Sequence, residues 1–156
     1  MVSKDGFLGR TIEPYKFGGR SVGGMMRVIT MYSIILFRTI HAALYIIRNG
    51  VRGRTVSLIV GCIFGVIGTI FVIMSVAALG AAQGRRRVLG INWGRLHFDV
   101  VLGLGAVASL ALMIVAFLFS SNVDNSGLFS AWCIVWVFLS LTAWIAQKPP
   151  TMETYV

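Results

Sequence analysis

Charged side chains are scarce in this chain of 156 residues. Asp, Glu, Lys and Arg make up 12% of it and apolar residues 57%, far from the balance of a water-soluble domain. So little charge leaves no polar face for a nucleic-acid groove, although the formal net charge is +9. The composition therefore indicates a membrane protein, and anionic lipid headgroups are the expected partners of its basic residues.

Cysteine and histidine are also few. Cys62 and Cys133 lie inside apolar runs, which excludes a disulfide scaffold. His97 lies at the edge of its predicted helix, whereas His41 lies well inside its own. The two side chains are therefore at depths roughly 18 Å apart on the usual helical rise, and a shared haem or metal is not expected. The sequence contains no glycine-rich phosphate loop and no Ser/His/Asp set. We therefore predict a non-enzymatic protein with no catalytic residue, no cofactor and no bound metal.

Four long apolar runs occupy most of the chain, at about 28–47, 56–82, 96–119 and 128–146. Each is close to or above the roughly 20 residues that cross the hydrocarbon core of a bilayer as a helix. The short connections predict that consecutive helices are antiparallel neighbours. The expected fold is an all-α, polytopic membrane protein, a four-helix bundle with up-down-up-down topology. Residues 1–27 and 147–156 would be a flexible basic segment and a tail.

The distribution of Lys and Arg beside the runs predicts the orientation, because basic residues resist translocation. One side of the bundle would carry ten basic residues and the other only three, namely Arg48, Arg52 and Arg54. Both termini are therefore expected in the cytoplasm. Trp93 and Trp144 would then lie at the inner interface and Trp132 near the outer one. The expected location is the plasma membrane or an endomembrane, with the mitochondrial inner membrane as an alternative.

Small residues recur at helical spacing on one face of the second run. They are Gly61, Gly65, Gly68 and Ser75. Such stripes allow two helix backbones to approach closely in lipid. The third run offers a counterpart in Gly103 and Ala106, so helices two and three are expected to pack along these stripes. Contact with another subunit or with a second copy of the chain is the alternative use of the glycines.

Arg38 lies at the centre of the first run, where a guanidinium facing lipid would cost at least about 2.5 kcal/mol. His41 and Tyr45 follow on the same helical face. Asp99 is the only carboxylate within any of the four runs. The sequence predicts a buried polar network of Arg38, His41, Tyr45 and Asp99, in which Arg38 reaches Asp99 directly or through water. Its expected role is to fix helix register rather than to conduct ions or protons.

Arginines are concentrated between the second and third runs. Arg85, Arg86, Arg87 and Arg95 are expected to contact anionic headgroups on the cytoplasmic side. The C-terminal residues Thr154, Tyr155 and Val156 are similar to peptides that PDZ domains bind, although so short a match is expected to be coincidental.

Three sequence features are similar to those of small four-helix MARVEL-type membrane proteins. They are the Arg27-Val28-Ile29 entry to the first helix, the Leu96-His97-Phe98-Asp99 entry to the third, and the tryptophans of the fourth, Trp132, Trp136 and Trp144. The resemblance implies a non-enzymatic organiser of membrane components that acts through lateral helix and lipid contacts. The alternative function is an accessory subunit of a larger respiratory or transport-related membrane complex.

Overall fold

The computed structural model describes residues 11–16, 21–82, 86–118 and 125–147. Four helices form most of this part of the chain: α1, Val22–Val51; α2, Thr55–Ala81; α3, Arg95–Leu118; and α4, Asn125–Ala146. A single 3-10 turn, Glu13–Tyr15, precedes α1. A short antiparallel hairpin of β1, Arg86–Val88, and β2, Ile91–Trp93, joins α2 to α3. The all-helical class and the number of helices are confirmed.

Three of the helices, α1, α2 and α3, are long and apolar enough to cross a membrane. The apolar stretch within α4 is shorter, Ser130–Ala146. Helix α1 extends beyond the predicted run at both ends. The arginines next to the two ends of that run, Arg27 and Arg48, lie within the helix because each has a partner on α3. Arg27 binds Asp99, and Arg48 donates to the carbonyl oxygen of Ala116.

The helices pack in the ring order α1, α2, α4, α3. Helix α1 packs mainly on α2 and α3, and α4 packs on the same two helices, whereas α2 and α3 have a much smaller contact. The expectation that all consecutive helices are close neighbours is therefore wrong for α2 and α3. The connection between them contains the hairpin, which is long enough to link two helices on a diagonal of the bundle.

The apolar core occupies the half of the bundle that contains the start of α1 and the end of α2. All four helices contribute fully or nearly fully buried side chains to it: Met31, Ile34, Val72, Val76, Leu79, Phe98, Val101, Leu102, Leu139 and Ala143. Gly105 allows close packing here, because a Cβ at this position would lie 3.0 Å from a methyl carbon of Leu139. This half of the bundle is therefore tightly packed.

The hairpin turns at Leu89 and Gly90, which both have positive φ angles, 53° and 81°. Two such residues in succession match the twist of a two-residue hairpin turn. Trp93 of β2 stacks on Phe98 at a centroid distance of 6.0 Å, which fixes the hairpin to the start of α3. The sequence predicted only a connection between the second and third runs at this position.

Part of the N-terminal segment also packs on the bundle. The hydroxyl of Tyr15 donates a 2.7 Å hydrogen bond to the carbonyl oxygen of Ile73 in α2. Pro14 is buried against Gly80, where a Cβ would lie 3.5 Å from that of Pro14. These contacts differ from the expectation of a flexible segment over residues 1–27, since residues 11–16 add apolar and polar contacts to α2.

Candidate functional site

The other half of the bundle contains a partly open cavity of about 580 Å³. This volume is within the usual range for small-molecule sites, roughly 300–1,000 Å³. Its wall combines three basic side chains, Arg38, His41 and Arg48, with aromatic and aliphatic ones. The remaining lining residues are Ala42, Leu44, Tyr45, Val60, Gly61, Phe64, Gly65, Ala116, Leu128, Trp132, Cys133 and Trp136.

Arg38 is the most unusual residue of this wall, because its side chain is a buried cation of 8% relative exposure. The guanidinium carbon lies 5.1 Å from the ring centroid of Trp132, a cation–π distance. On another side it lies against Gly68, where a Cβ would be only 2.7 Å from Nη2. Its Nε is buried without a hydrogen-bond partner among the described residues. Packing thus holds the guanidinium in place without supplying an acceptor.

Three further buried nitrogen atoms in the wall have no hydrogen-bond partner in the described part of the chain. They are Nδ1 of His41 and Nε1 of Trp132 and Trp136. The His41 and Trp132 rings stack at a centroid distance of 5.7 Å, so the imidazole lies on the same tryptophan as Arg38. A tryptophan Nε1 and an arginine Nε can only donate. The wall is therefore rich in donors that lack acceptors.

One end of the wall is formed by the last turns of α1. Arg48 Nη2 donates to the carbonyl oxygen of Ala116 at 3.0 Å, which links α1 to α3. Asn49 is buried and donates to the carbonyl oxygen of Tyr45 at 2.9 Å. By the helical rise of 1.5 Å per residue, Arg48 lies about 15 Å along α1 from Arg38. The cavity thus extends from the middle of α1 to its C-terminal end.

The glycine stripe of α2 packs against α1 rather than α3, so the predicted pairing of helices two and three is wrong. A Cβ at Gly61 would lie 2.6 Å from the Tyr45 ring, and one at Gly65 would lie 3.8 Å from Cβ of Ala42. The glycines make room for the large side chains that α1 presents at Arg38 and Tyr45. Gly61 and Gly68 thus leave space for large side chains of α1, whereas Gly65 meets the small residue Ala42.

The predicted partners of that stripe on α3 lie elsewhere. A Cβ at Gly103 would have no heavy atom within 4 Å, so this glycine faces open space. Ala106 packs against the apolar core, and Ser75 of α2 is buried near its own helix's core residues. Gly80 and Gly105 were not predicted as packing residues, yet a Cβ at either position would lie close to a side chain of another helix, Met31 or Leu139. The spacing of small residues does not show which face of a helix packs on its neighbour.

Asp99 is not part of the network around Arg38, which corrects the predicted Arg38–Asp99 interaction. It binds Arg27 instead: Nε of Arg27 donates to Oδ1 and Nη2 to Oδ2, each at 2.5 Å. Arg27 was assigned to the cytoplasmic segment, yet it lies within α1 and reaches Asp99, the fifth residue of α3. Arg27 and Asp99 are at the same level of two adjacent helices, whereas Arg38 lies about 16 Å further along α1.

The structure places the other predicted residues as follows. Arg86 and Arg87 are in β1, opposite Trp93 and Asn92, and Arg95 begins α3. Arg85 and the Thr154-Tyr155-Val156 terminus lie outside the described residues. The backbone nitrogen of Gly94 donates to Nδ1 of His97 at 3.2 Å.

His97 is thus part of the turn that begins α3, while His41 belongs to the cavity. Within residues 11–16, 21–82, 86–118 and 125–147, no group of three His, Cys, Asp or Glu side chains could hold a metal ion.

Trp132 and Trp136 are functional candidates that the sequence analysis did not assign to a site. Trp132 was expected at the outer interface, but its side chain is 3% exposed because it packs on Arg38 and His41. Trp136 packs edge-on against Phe71 of α2 at 5.3 Å. The one available signal was the spacing of four between the two tryptophans, which puts them on one face of α4.

Comparison with protein-family models, curated proteins and solved structures finds no match to this chain. The resemblance to MARVEL-type proteins therefore stays a prediction.

The chemistry of the site follows from its wall. Among the described lining residues there is a buried guanidinium, an imidazole, two indoles and a phenol, but no carboxylate. Such a set can hold a molecule that accepts hydrogen bonds and that has apolar groups to contact Leu44, Val60 and Leu128.

Proposed function

We propose that this protein is a non-enzymatic integral membrane protein that organises membrane components by binding lipid between its helices. In this proposal all four helices cross the membrane with up-down-up-down topology, and both termini are cytoplasmic. The ten-to-three asymmetry of basic residues supports the orientation. The apolar exteriors of α1, α2 and α3, which are long enough to span a bilayer, support the insertion.

The observation that carries this function is the cavity of about 580 Å³ beside α1, α2 and α4. Val60 and Phe64 both line the cavity and are exposed on the outer surface of α2, so the cavity reaches the surface that would face lipid. A lipid could therefore enter sideways from the bilayer. Its polar group would meet the donors of α1 and α4, and its chain would meet the aliphatic wall.

The basic residues of the hairpin support a second contact with lipid. Arg87 is exposed, and Leu89 at the tip of the turn is 97% exposed. A basic strand next to an exposed apolar turn suits a surface of anionic headgroups, where each basic group contributes on the order of 1 kcal/mol. In the proposed orientation this surface is the cytoplasmic leaflet.

A second candidate function is an accessory subunit of a larger membrane complex. It is favoured by one observation: Arg38 has no counter-charge among the described residues, although a carboxylate on a neighbouring subunit could supply one. In that case the cavity would receive a side chain of another protein rather than a lipid.

Purification in a mild detergent followed by native mass spectrometry separates the two functions. Lipid binding predicts a 17.0 kDa chain that retains lipid masses in a fixed ratio. A stoichiometric set of different chains, with no retained lipid, would favour the accessory subunit. A chain with neither lipid nor partner would contradict both.

A further inference from the structure

We propose that the cavity selects an acidic amphiphile: a molecule with a hydrocarbon chain and a carboxylate or phosphate group whose oxyanion binds Arg38. This inference rests on the proposed lipid-binding function and adds the charge of the ligand and the residue that recognises it. It is drawn from the burial, packing and missing acceptors of the residues that line the cavity.

The first step concerns charge. Arg38 is 8% exposed, and the described lining residues include no carboxylate that could neutralise it. An arginine keeps its proton under all ordinary conditions, so the site remains cationic. A buried cation within a membrane span requires a counter-charge or water, since hydrocarbon offers neither. An anion that enters the cavity supplies the counter-charge that the described lining residues lack.

The second step concerns the direction of the hydrogen bonds. Arg38 and the two tryptophans have buried donors for which the described residues supply no acceptor. Carboxylates and phosphates only accept when ionised, and they match the planar donor fork of a guanidinium. The Trp132 ring and the backbone at Gly68 hold that fork from two sides, so little freedom is lost when an oxyanion binds. Sterols and other neutral alcohols would leave the charge of Arg38 uncompensated.

The third step concerns the rest of the ligand. Away from Arg38 the wall is largely apolar, with Leu44, Val60, Phe64, Leu128 and Ala116 as its lining. Arg48 lies near the C-terminal end of α1, where its Nη2 is bound to a backbone carbonyl oxygen. A hydrocarbon chain can lie along this wall and leave the bundle past the exposed side chains of α2. A small free anion would gain nothing from these contacts.

The test uses the quenching of tryptophan fluorescence by brominated lipids in phosphatidylcholine vesicles. A full-length variant with Trp93, Trp136 and Trp144 changed to Phe retains only Trp132, which is 3% exposed and so contacts bulk lipid very little. A matched variant retains only Trp144, which is 65% exposed and reports ordinary lipid contact. The three probes are dibrominated stearic acid, phosphatidic acid with dibrominated chains, and phosphatidylcholine with dibrominated chains.

We expect the two acidic probes to quench Trp132 at a concentration about tenfold lower than phosphatidylcholine, because hydrogen bonds to a charged group favour them. Trp144 lies at the end of the bundle that contacts the basic hairpin, so it should show only the smaller preference for acidic lipid that surface arginines give. A response to stearic acid alone assigns a carboxylate ligand, and a response to phosphatidic acid alone assigns a phosphate; either supports the proposal. Arg38→Gln in the Trp132 variant should abolish the preference, whereas Arg38→Lys should retain part of it.

Equal quenching of Trp132 by the acidic and zwitterionic probes would overturn the proposed selectivity and leave lipid binding intact. Absence of quenching by any probe, while Trp144 is quenched, would contradict lipid binding itself. The comparison between probes needs no change at Arg38, so it remains decisive if Arg38→Gln does not fold.

Discussion

Arg27 of α1 and Asp99 of α3 form a two-point salt bridge, in which two nitrogen atoms of one guanidinium donate to the two oxygen atoms of one carboxylate. At the other end of the same helix pair, Arg48 donates to the carbonyl oxygen of Ala116. Helices α1 and α3 are thus joined by an arginine near each end. Between these two points lies Arg38, whose buried Nε has no acceptor in the described structure.

The first prediction concerns this salt bridge. Arg27→Gln and Asp99→Asn should each lower the thermal unfolding midpoint in detergent, and the double variant should lose less than the sum. The expected coupling free energy is about 0.5–3 kcal/mol, in the lower part of that range because Asp99 is 38% exposed. A parallel cycle of Arg38→Gln and Asp99→Asn should be additive. Strong coupling in the second cycle and none in the first would contradict the pairing.

The second prediction compares glycines. Gly61→Ala should destabilise the bundle by about 1–3 kcal/mol, because the new Cβ would lie 2.6 Å from the Tyr45 ring. Gly103→Ala is the matched control, since its Cβ would meet no heavy atom within 4 Å. This change should be neutral or stabilise by up to about 1 kcal/mol through helix propensity. Denaturant unfolding in detergent measures the free energy of unfolding of both variants. Equal losses of stability would contradict close packing of Gly61 on Tyr45.

The third prediction concerns Tyr15, whose hydroxyl binds the carbonyl oxygen of Ile73. Burial, with a smaller effect of nearby Tyr32, raises the pKa of Tyr15 above the ordinary tyrosine value of about 10. The folded state therefore holds this proton more tightly than the unfolded state. The protonated hydroxyl therefore stabilises the folded state fully below about pH 10, the unfolded-state pKa, and this stabilisation is lost as the pH rises through the folded-state pKa.

Phenolate absorbance during an alkaline titration should show one late-titrating tyrosine, and Tyr15→Phe should remove it. The same variant should lose about 0.5–1.5 kcal/mol of stability at neutral pH with the hydrogen bond. Tyr32→Phe is the control, because the bond of its hydroxyl to the Tyr15 carbonyl oxygen is long, 3.4 Å. A late titration that persists in Tyr15→Phe would show that another residue causes it.

The fourth prediction concerns orientation. In a background with Cys62 and Cys133 replaced by Ala, Val51→Cys should react with an impermeant maleimide on intact cells, whereas Leu89→Cys should react only after permeabilisation. Both positions are highly exposed, 84% and 97%, so reactivity reports the side of the membrane. The expectation follows from the excess of Lys and Arg on the side of Leu89. The reverse labelling pattern would invert the topology.

The helices could be predicted from the sequence because runs of apolar residues are a strong signal. The ends of the helices were predicted less accurately. The first apolar run stops next to Arg27 and Arg48, but α1 continues past both because acceptors on α3 bind their guanidinium groups. A single sequence does not show such partners. For the same reason Asp99 was paired with the arginine that most needed a counter-charge rather than with the one at its own level.

The candidate site was predictable only in part. The burial of Arg38 and its grouping with His41 and Tyr45 follow from the cost of a cation in hydrocarbon and from helical spacing. The contribution of Trp132 could not be predicted, because it depends on α4 lying diagonally opposite α1. The position of α4 opposite α1 follows from the ring order of the helices, and the lengths of the connections do not predict that order.

A lipid headgroup that enters the cavity should lie beside Arg38, well inside the bundle. Photo-crosslinking tests this claim most directly, with an acidic lipid that carries a diazirine next to its headgroup, incorporated into native membranes. At the bilayer surface such a headgroup is far from Trp132 and Cys133, which lie about 11 Å along α4 from its start.

We predict crosslinks on these two residues, mapped by tandem mass spectrometry, that decrease when unlabelled lipid is added. Crosslinks confined to lipid-facing residues of the same helix, such as Ile134 and Val137, which are 70% and 56% exposed, would contradict the claim.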